Sequence, residues 1–198
     1  MFYSERIYEA TAFAIKVHQV DQDQRRKVTK APYIIHPISV AMILGRVNAS
    51  EDLIVAALLH DSIEDSTPEH KVTREQISSR FGDNVARMVQ DVTEPDHSVS
   101  WIDRKRQAVD HIAKMQHDSL LLKSADTLHN LTDMIISYKE QGDDLFHYFG
   151  ADKQTQLAHF SNRITALKTA WSANPLIEDL QSQYETLRTL WGEEITHE

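Results

Sequence analysis

Directly behind the apolar run Leu53–Leu59 come His60, Asp61, Glu64 and Asp65, at spacings i, i+1, i+4 and i+5. On a continuous helix this stacks His60 with Glu64 and Asp61 with Asp65, so four ionisable groups share one side of one element. Three carboxylates gathered at the end of a buried helix repel one another unless something positive lies among them, and no Lys or Arg occurs between Arg46 and Lys71. Two readings stand: the helix surfaces into water at Asp61, where charged residues ordinarily sit, or a divalent cation compensates the cluster.

Two further segments bear on that choice. In PYIIHP, Pro32–Pro37, the apolar Tyr33, Ile34 and Ile35 precede His36, and a helix-opening proline follows it. A histidine at such a rigid mouth is either a satisfied core or capping group or a ligand. In LLLKSADTLHNL, residues 120–131, and just beyond it, Asp126, His129, Asn130 and Asp133 fall on one helical face behind another apolar run. Two imidazoles and two carboxylates, with positions left open for water and substrate, suit a first-row divalent ion such as Mn²⁺ or Fe²⁺ better than Ca²⁺ or structural zinc. The chain has no Cys, and it carries no HExxH, GxSxG, Walker loop or GxGxxG. Metal-assisted hydrolysis is the chemistry that remains.

The elements that must position these groups read as helices throughout. With 5 Gly and 5 Pro in 198 residues there is little turn chemistry for a β fold, and no alternating strand run is flanked by Asn-Gly or Asp-Gly. Ile7, Ala10, Ala14 and Val17 mark a first helix, and Pro37, Ile38, Ala41, Met42 and Leu44 a second. Residues 51–64 read as the central helix, with Glu51 and Asp52 in its first turn and an apolar surface all round. Thr73 and Gln76 form a capping box before a helix that Gly82 stops, and a short helix runs through Val85, Met88 and Val89. A loop follows over 93–100, then helices over about 101–115, 119–138 and 152–173, with a break at Gly142 and a last helix opened by Asn174 and Pro175.

Composition narrows the partners. Lys plus Arg number 21 against 30 Asp plus Glu, a net charge of −9, which argues against coating duplex nucleic acid. The charged opening MFYSERIYEATAFAIK lacks the apolar continuity of a secretory segment, and the apolar run at 53–59 is too short to span a bilayer, so the expectation is a soluble, cytoplasmic protein. Seven of the 21 cations lie in two clusters, Arg25, Arg26, Lys27 and Lys30, and Arg104, Lys105 and Arg106. Each cluster is either a mouth for a polyanionic substrate or a solvated surface. Trp101, Trp171 and Trp191 read as packing, and His111, His117 and His129 as structural. Whether Tyr138 and Tyr148 border a ligand, and what oligomer forms, the residues leave open.

His36, then His60-Asp61, then Asp126 is the H…HD…D order of the HD-domain metal phosphohydrolases. The words PYIIHPISVAMIL, AALLHDSIEDS, FGDNVARMVQDVTE and SADTLHNL resemble, in order, the hydrolase domain of the Rel/SpoT family, over about residues 7–138. The resemblance departs at the loop DQDQRRKVTKAPY, which aligns only with a gap, and at Ser124 and Thr127. It implies an all-α, single-domain HD-type helical bundle over residues 1–198: a small, stand-alone hydrolase that removes pyrophosphate from the 3′ position of ppGpp and pppGpp. It also implies that His36, His60, Asp61 and Asp126 hold one Mn²⁺, or another first-row ion, and that Glu64 and Asp65 position or deprotonate the attacking water. Asn130 would lie beside the nucleotide, with Arg26, Lys27, Arg104 and Lys105 as substrate contacts. The alternatives are the same chemistry on ppApp, the 2′-phosphate of NADPH or a nucleoside monophosphate, and a non-catalytic alarmone-binding regulator.

Overall fold

A computed structural model describes residues 3–94, 100–149 and 151–192, and among these the ordered elements are helices. In chain order they are α1 (Glu5–Ile15), α2 (Ile35–Arg46), α3 (Glu51–Leu59), α4 (Arg74–Phe81), α5 (Asp83–Val92), α6 (Trp101–Ile112), α7 (His117–Gln141), α8 (Lys153–Ala170) and α9 (Ile177–Leu190). None of them is long and apolar enough to cross a membrane. Most of the loop expected over 93–100, and the Trp101 side chain, lie outside the described residues.

Helix α3 is the axis. Ser50 caps it by accepting from Leu53 N at 3.3 Å, and Glu51 and Asp52 complement the positive end of the helix dipole. All seven residues from Leu53 to Leu59 are buried, which α1, α2, α5 and α7 achieve by packing around them. Arg6 of α1 fastens this layer, pairing with Glu51 at 3.2 Å and with Asp52, and donating to Phe81 O at the end of α4. The capping box forms as expected, with Thr73 N donating to Gln76 Oε1 at 3.0 Å and Gln76 N to Thr73 Oγ1 at 3.3 Å. Gly82 turns the chain between α4 and α5 at φ +95°, a conformation that disfavours any side chain.

Two expectations are corrected. The central helix ends at Leu59, not at residue 64: Ser62 N donates to Leu59 O at 2.9 Å and Asp65 N to Asp61 O at 2.9 Å, so His60–Glu64 is a tightened turn. A regular helix would have stacked His60 with Glu64 and Asp61 with Asp65; the turn instead hands Asp61 and Asp65 to Tyr33 and Gln24 of the segment between α1 and α2, and Glu64 to the Glu94 amide after α5. Asn174 is not the cap of the last helix, since Leu176 holds that position. Asn174 is a buried joint: its Oδ1 accepts from Leu176 N at 3.0 Å and its Nδ2 donates to Ser124 Oγ at 2.8 Å, tying the C-terminal helices to the middle of α7. Two short 3₁₀ segments, Pro68–His70 and Gly142–Tyr148, also went unanticipated.

Replacing Asn174 by Ala leaves the amide of fully buried Leu176 without that acceptor. Asn174→Ala should lower the unfolding free energy by about 1–3 kcal/mol and the melting temperature by about 2–4 °C for each of them, which thermal unfolding measures directly.

Candidate metal centre and its cavity

Three segments meet at the end of α3. The first turn of α2 brings His36, the turn after α3 brings His60 and Asp61, and the middle of α7 brings Asp126. One donor atom from each of His36, His60 and Asp126 lies within 4.8 Å of the others, and all three residues are buried. Nε2 of His36 is 3.1 Å from Nε2 of His60, 3.3 Å from Asp61 Oδ2 and 3.5 Å from Asp126 Oδ1, and Asp61 Oδ2 is 3.2 Å from His60 Nε2. The four residues therefore lie together at the end of α3.

Each donor is oriented from behind. His60 Nδ1 faces Ala57 O at 2.8 Å and donates its proton there, which leaves Nε2 directed at the cluster. Tyr33 donates its hydroxyl to Asp61 Oδ2 at 2.6 Å, and Asn130 donates to Asp126 Oδ1 at 2.6 Å while Lys123 Nζ lies 3.0 Å from Asp126 Oδ2. His36 Nδ1 faces His129 Nδ1 at 2.8 Å, so His129 is a supporting group of the centre and not a remote structural histidine.

The titration behaviour without metal shows what the cluster requires. Burial disfavours charge on His36, but Asp126 and Asp61 outweigh it and push the imidazole up to about 9. Burial likewise opposes ionisation of Asp126 and Asp61. Lys123 and the histidines hold Asp126 well below the usual carboxylate range, and His60 and His36 hold Asp61 there too. Burial carries His60 downward, and burial with the charges of His36 and Arg26 takes His129 down to about 4. One positive charge is thus demanded between two carboxylates, and the donor set of two imidazole nitrogens and two carboxylates fits a divalent cation at that point.

Glu64 and Asp65 stand beside the centre. Glu64 Oε2 accepts from Glu94 N at 3.0 Å, and burial together with the Asp61 charge pushes the carboxyl up to about 7. Asp65 is raised by burial and by Asp61, and it is held by Gln24, which donates from Nε2 to Asp65 Oδ2 at 2.8 Å. Gln24 is oriented in turn by fully buried His18, whose Nδ1 is 2.6 Å from Gln24 Oε1. His18 points inward because α1 continues into a wider π-helical turn, Lys16–Val20.

These groups line a cavity of about 440 Å³. His36, Asp61, Glu64, Asp65, Asp126 and Asn130 line it, as do Arg26, Lys27, Arg104 and Lys105, and His60 sits behind the wall. The loop between α1 and α2 carries Arg26 and Lys27 by pairing Arg26 N with Ala31 O and Tyr33 N with Gln24 O, each at 2.9 Å. Arg26 is fixed by Asp133 at 2.7 Å, and Lys27 lies 6.0 Å from the ring centroid of Phe149. Lys30 sits over exposed Tyr148, Arg106 pairs with Asp103, and Tyr138 bonds Asp143, so none of these four belongs to the lining. Reading the residues alone missed Lys123, Glu94, His159 and Arg163 in the wall. A single lysine inside the apolar run LLLKSA was a usable signal for the first; the others carry no local mark.

The family pattern described as HD domain matches residues 10–156. The chain belongs to the HD domain family. Among curated relatives of this HD domain is the guanosine-3′,5′-bis(diphosphate) 3′-pyrophosphohydrolase MESH1 of Danio rerio, 42% identical over 131 residues, 65% of this chain and 68% of that one. The Homo sapiens protein of the same name is 37% identical over 131 residues, 65% of this chain and 69% of its own. A solved structure described as a metazoan ortholog of SpoT that hydrolyzes ppGpp matches with a TM-score of 0.77 at 27% identity, covering 94% of this chain and 97% of that one.

The raised carboxyl of Glu64 has a measurable cost in the metal-free HD domain. In the fold it stays protonated up to about pH 7 while in the unfolded chain it ionises near 4.5, so stability is lost as pH rises between those values. At pH 8 metal-free Glu64→Gln should be more stable than the parent by roughly 1–3 kcal/mol. Near pH 4.5 the two should unfold alike, and chemical denaturation at both pH values provides the comparison.

Proposed function

We propose that this HD domain hydrolyses the 3′-diphosphate of guanosine 3′,5′-bis(diphosphate) and its 5′-triphosphate counterpart, releasing pyrophosphate and GDP or GTP with one Mn²⁺ or similar ion. The observation that carries this is the convergence of His36, His60, Asp61 and Asp126 beside Glu64 and Asp65 in a cavity that also gathers Arg26, Lys27, Arg104 and Lys105. The relatives named for that reaction, and the solved ppGpp hydrolase whose fold this chain shares over nearly its whole length, support the same substrate.

His36, His60, Asp61 and Asp126 would hold the ion, which when bound neutralises charge on a phosphoryl oxygen and acidifies water. Glu64 and Asp65 orient the attacking water toward phosphorus and accept its proton; the bond from that phosphorus to the ribose 3′ oxygen breaks, and the proton passes to that oxygen to give the free 3′-hydroxyl and pyrophosphate. Glu94 N anchors Glu64 by donating to Oε2, so its other oxygen remains available to that water. Gln24 does the same for Asp65 through Oδ2. The charge of Asp61 raises both carboxyls, and the proton is assigned to the two of them together. Arg26 lies 5.6 Å from the Tyr33 ring centroid and offers a planar face to a purine, with Lys27 and Asn130 beside it for phosphate and sugar oxygens.

Glu64→Gln should retain its metal and lose about 10²- to 10⁴-fold in kcat, whereas Asp61→Ala should lose the metal and all turnover. Metal analysis beside a pyrophosphate-release assay separates the two. Incubation of Mn²⁺-loaded protein with ppGpp, ppApp and NADPH, resolving nucleotide, pyrophosphate and orthophosphate, should give pyrophosphate from ppGpp. Preference for ppApp, or orthophosphate from NADPH, would move the substrate and keep the centre.

A further inference from the structure

One stretch of the cavity wall has side chains that take no part in moving the proton or the water. Helix α6 supplies Arg104 and Lys105, helix α8 supplies His159 and Arg163, and Glu94 reaches in among them from the segment after α5. The Glu94 side chain is 7% exposed, with Oε1 2.5 Å from Lys105 Nζ and 3.8 Å from Arg163 Nη2, and Oε2 3.9 Å from Arg104 Nη1. Arg163 is itself buried, with Nη2 donating to His159 Nε2 at 2.7 Å.

The fit is loose in a specific way. Among the described residues Glu94 Oε2 is buried and accepts no hydrogen bond, and Arg104 Nε is buried and donates none. Charge-assisted bonds close to about 2.7–2.9 Å when the geometry allows, yet both guanidinium contacts stop well short of that. A carboxylate offers two oxygens on one plane, while a phosphoryl group offers three disposed around a tetrahedron, so three donors arriving from two helices suit the larger anion. Glu94 supplies the carboxylate that lies between the partly buried guanidinium groups of Arg104 and Arg163.

We propose that Arg104, Lys105 and Arg163 form a second phosphate subsite, which takes the 5′-diphosphate of the nucleotide, and that the Glu94 carboxylate is its resting occupant. This rests on the reading of the substrate given above. Glu94 leaves the cations when the nucleotide enters and returns to them when the GDP product departs, so the carboxylate competes with the product for its own site. The exchange is felt at the reacting end as well, because the backbone N–H of the same residue holds Glu64.

GDP is the probe, since it carries the 5′-diphosphate with a free 3′-hydroxyl. Binding to the whole chain is measured calorimetrically with and without Mn²⁺, against GMP, for the parent, Glu94→Gln and Lys105→Met. Glu94→Gln keeps the backbone amide and should bind GDP about 5- to 10-fold tighter, with product inhibition of turnover strengthened to match. Lys105→Met, at a partly exposed side chain that can be lost without unfolding, should reduce the preference for GDP over GMP by at least about 10-fold, as should Arg163→Met if it folds. Unchanged or weaker GDP binding by Glu94→Gln would overturn the proposal. So would a GDP-over-GMP preference that survives Lys105→Met or disappears when the metal is removed. Failure of the parent to turn over ppGpp would defeat the substrate reading alone, because the GDP pattern is read without turnover.

Discussion

A single imidazole, His36, lies within 3.5 Å of two carboxylates that are withdrawn from bulk water, Asp61 and Asp126. Carboxylates gathered around one imidazole in a poorly polarisable interior need a cation among them. In the metal-free chain the proton on His36 meets the need. A divalent cation fits the same place, where His36, His60 and Asp126 each offer a donor atom within 4.8 Å of the others. The buried Lys123 beside Asp126 and the phenol of Tyr33 on Asp61 moderate the remaining charge and leave the donors facing inward.

The helices explain why such an arrangement holds. Helix α3 is apolar on every side and enclosed by four others, which makes its end a fixed point from which His60 and Asp61 emerge. Helix α7 runs for 25 residues across the same core and presents Lys123, Asp126 and Asn130 successively at helical spacing. The polar residues sit where rigid apolar surfaces terminate, so the burial of leucines, valines and alanines sets the distances among histidines and aspartates.

The helical class, the capping box at Thr73 and the stop at Gly82 were legible in the residues, because each rests on local spacing or on a short run of distinctive side chains; that His36, His60, Asp61 and Asp126 belong together came from the order of motifs shared with the HD family, not from spacing. The end of α3 was misjudged because helical periodicity counts apolar residues and is blind to partners elsewhere: Tyr33, Gln24 and the Glu94 amide draw the three carboxylates out of a helical stack. Asn174 looked like a cap for the same reason, its true partner Ser124 lying fifty positions away. Arg163 and His159 were invisible, since nothing nearby in the chain says that α8 folds back over α6. Local rules thus recover the helices and their caps, while the site and the walls around it depend on which distant helices meet.

The wide turn at Lys16–Val20 has a consequence for how this chain can change over time. Losing a residue ahead of His18 would restore the regular 3.6-residue pitch and swing His18 by about 100°, away from Gln24. The hydrogen-bonded chain from His18 through Gln24 to Asp65 would then have no origin. In this stretch the register of the chain matters as well as its composition, because a deletion ahead of His18 would remove the same contact with Gln24 that replacing His18 removes.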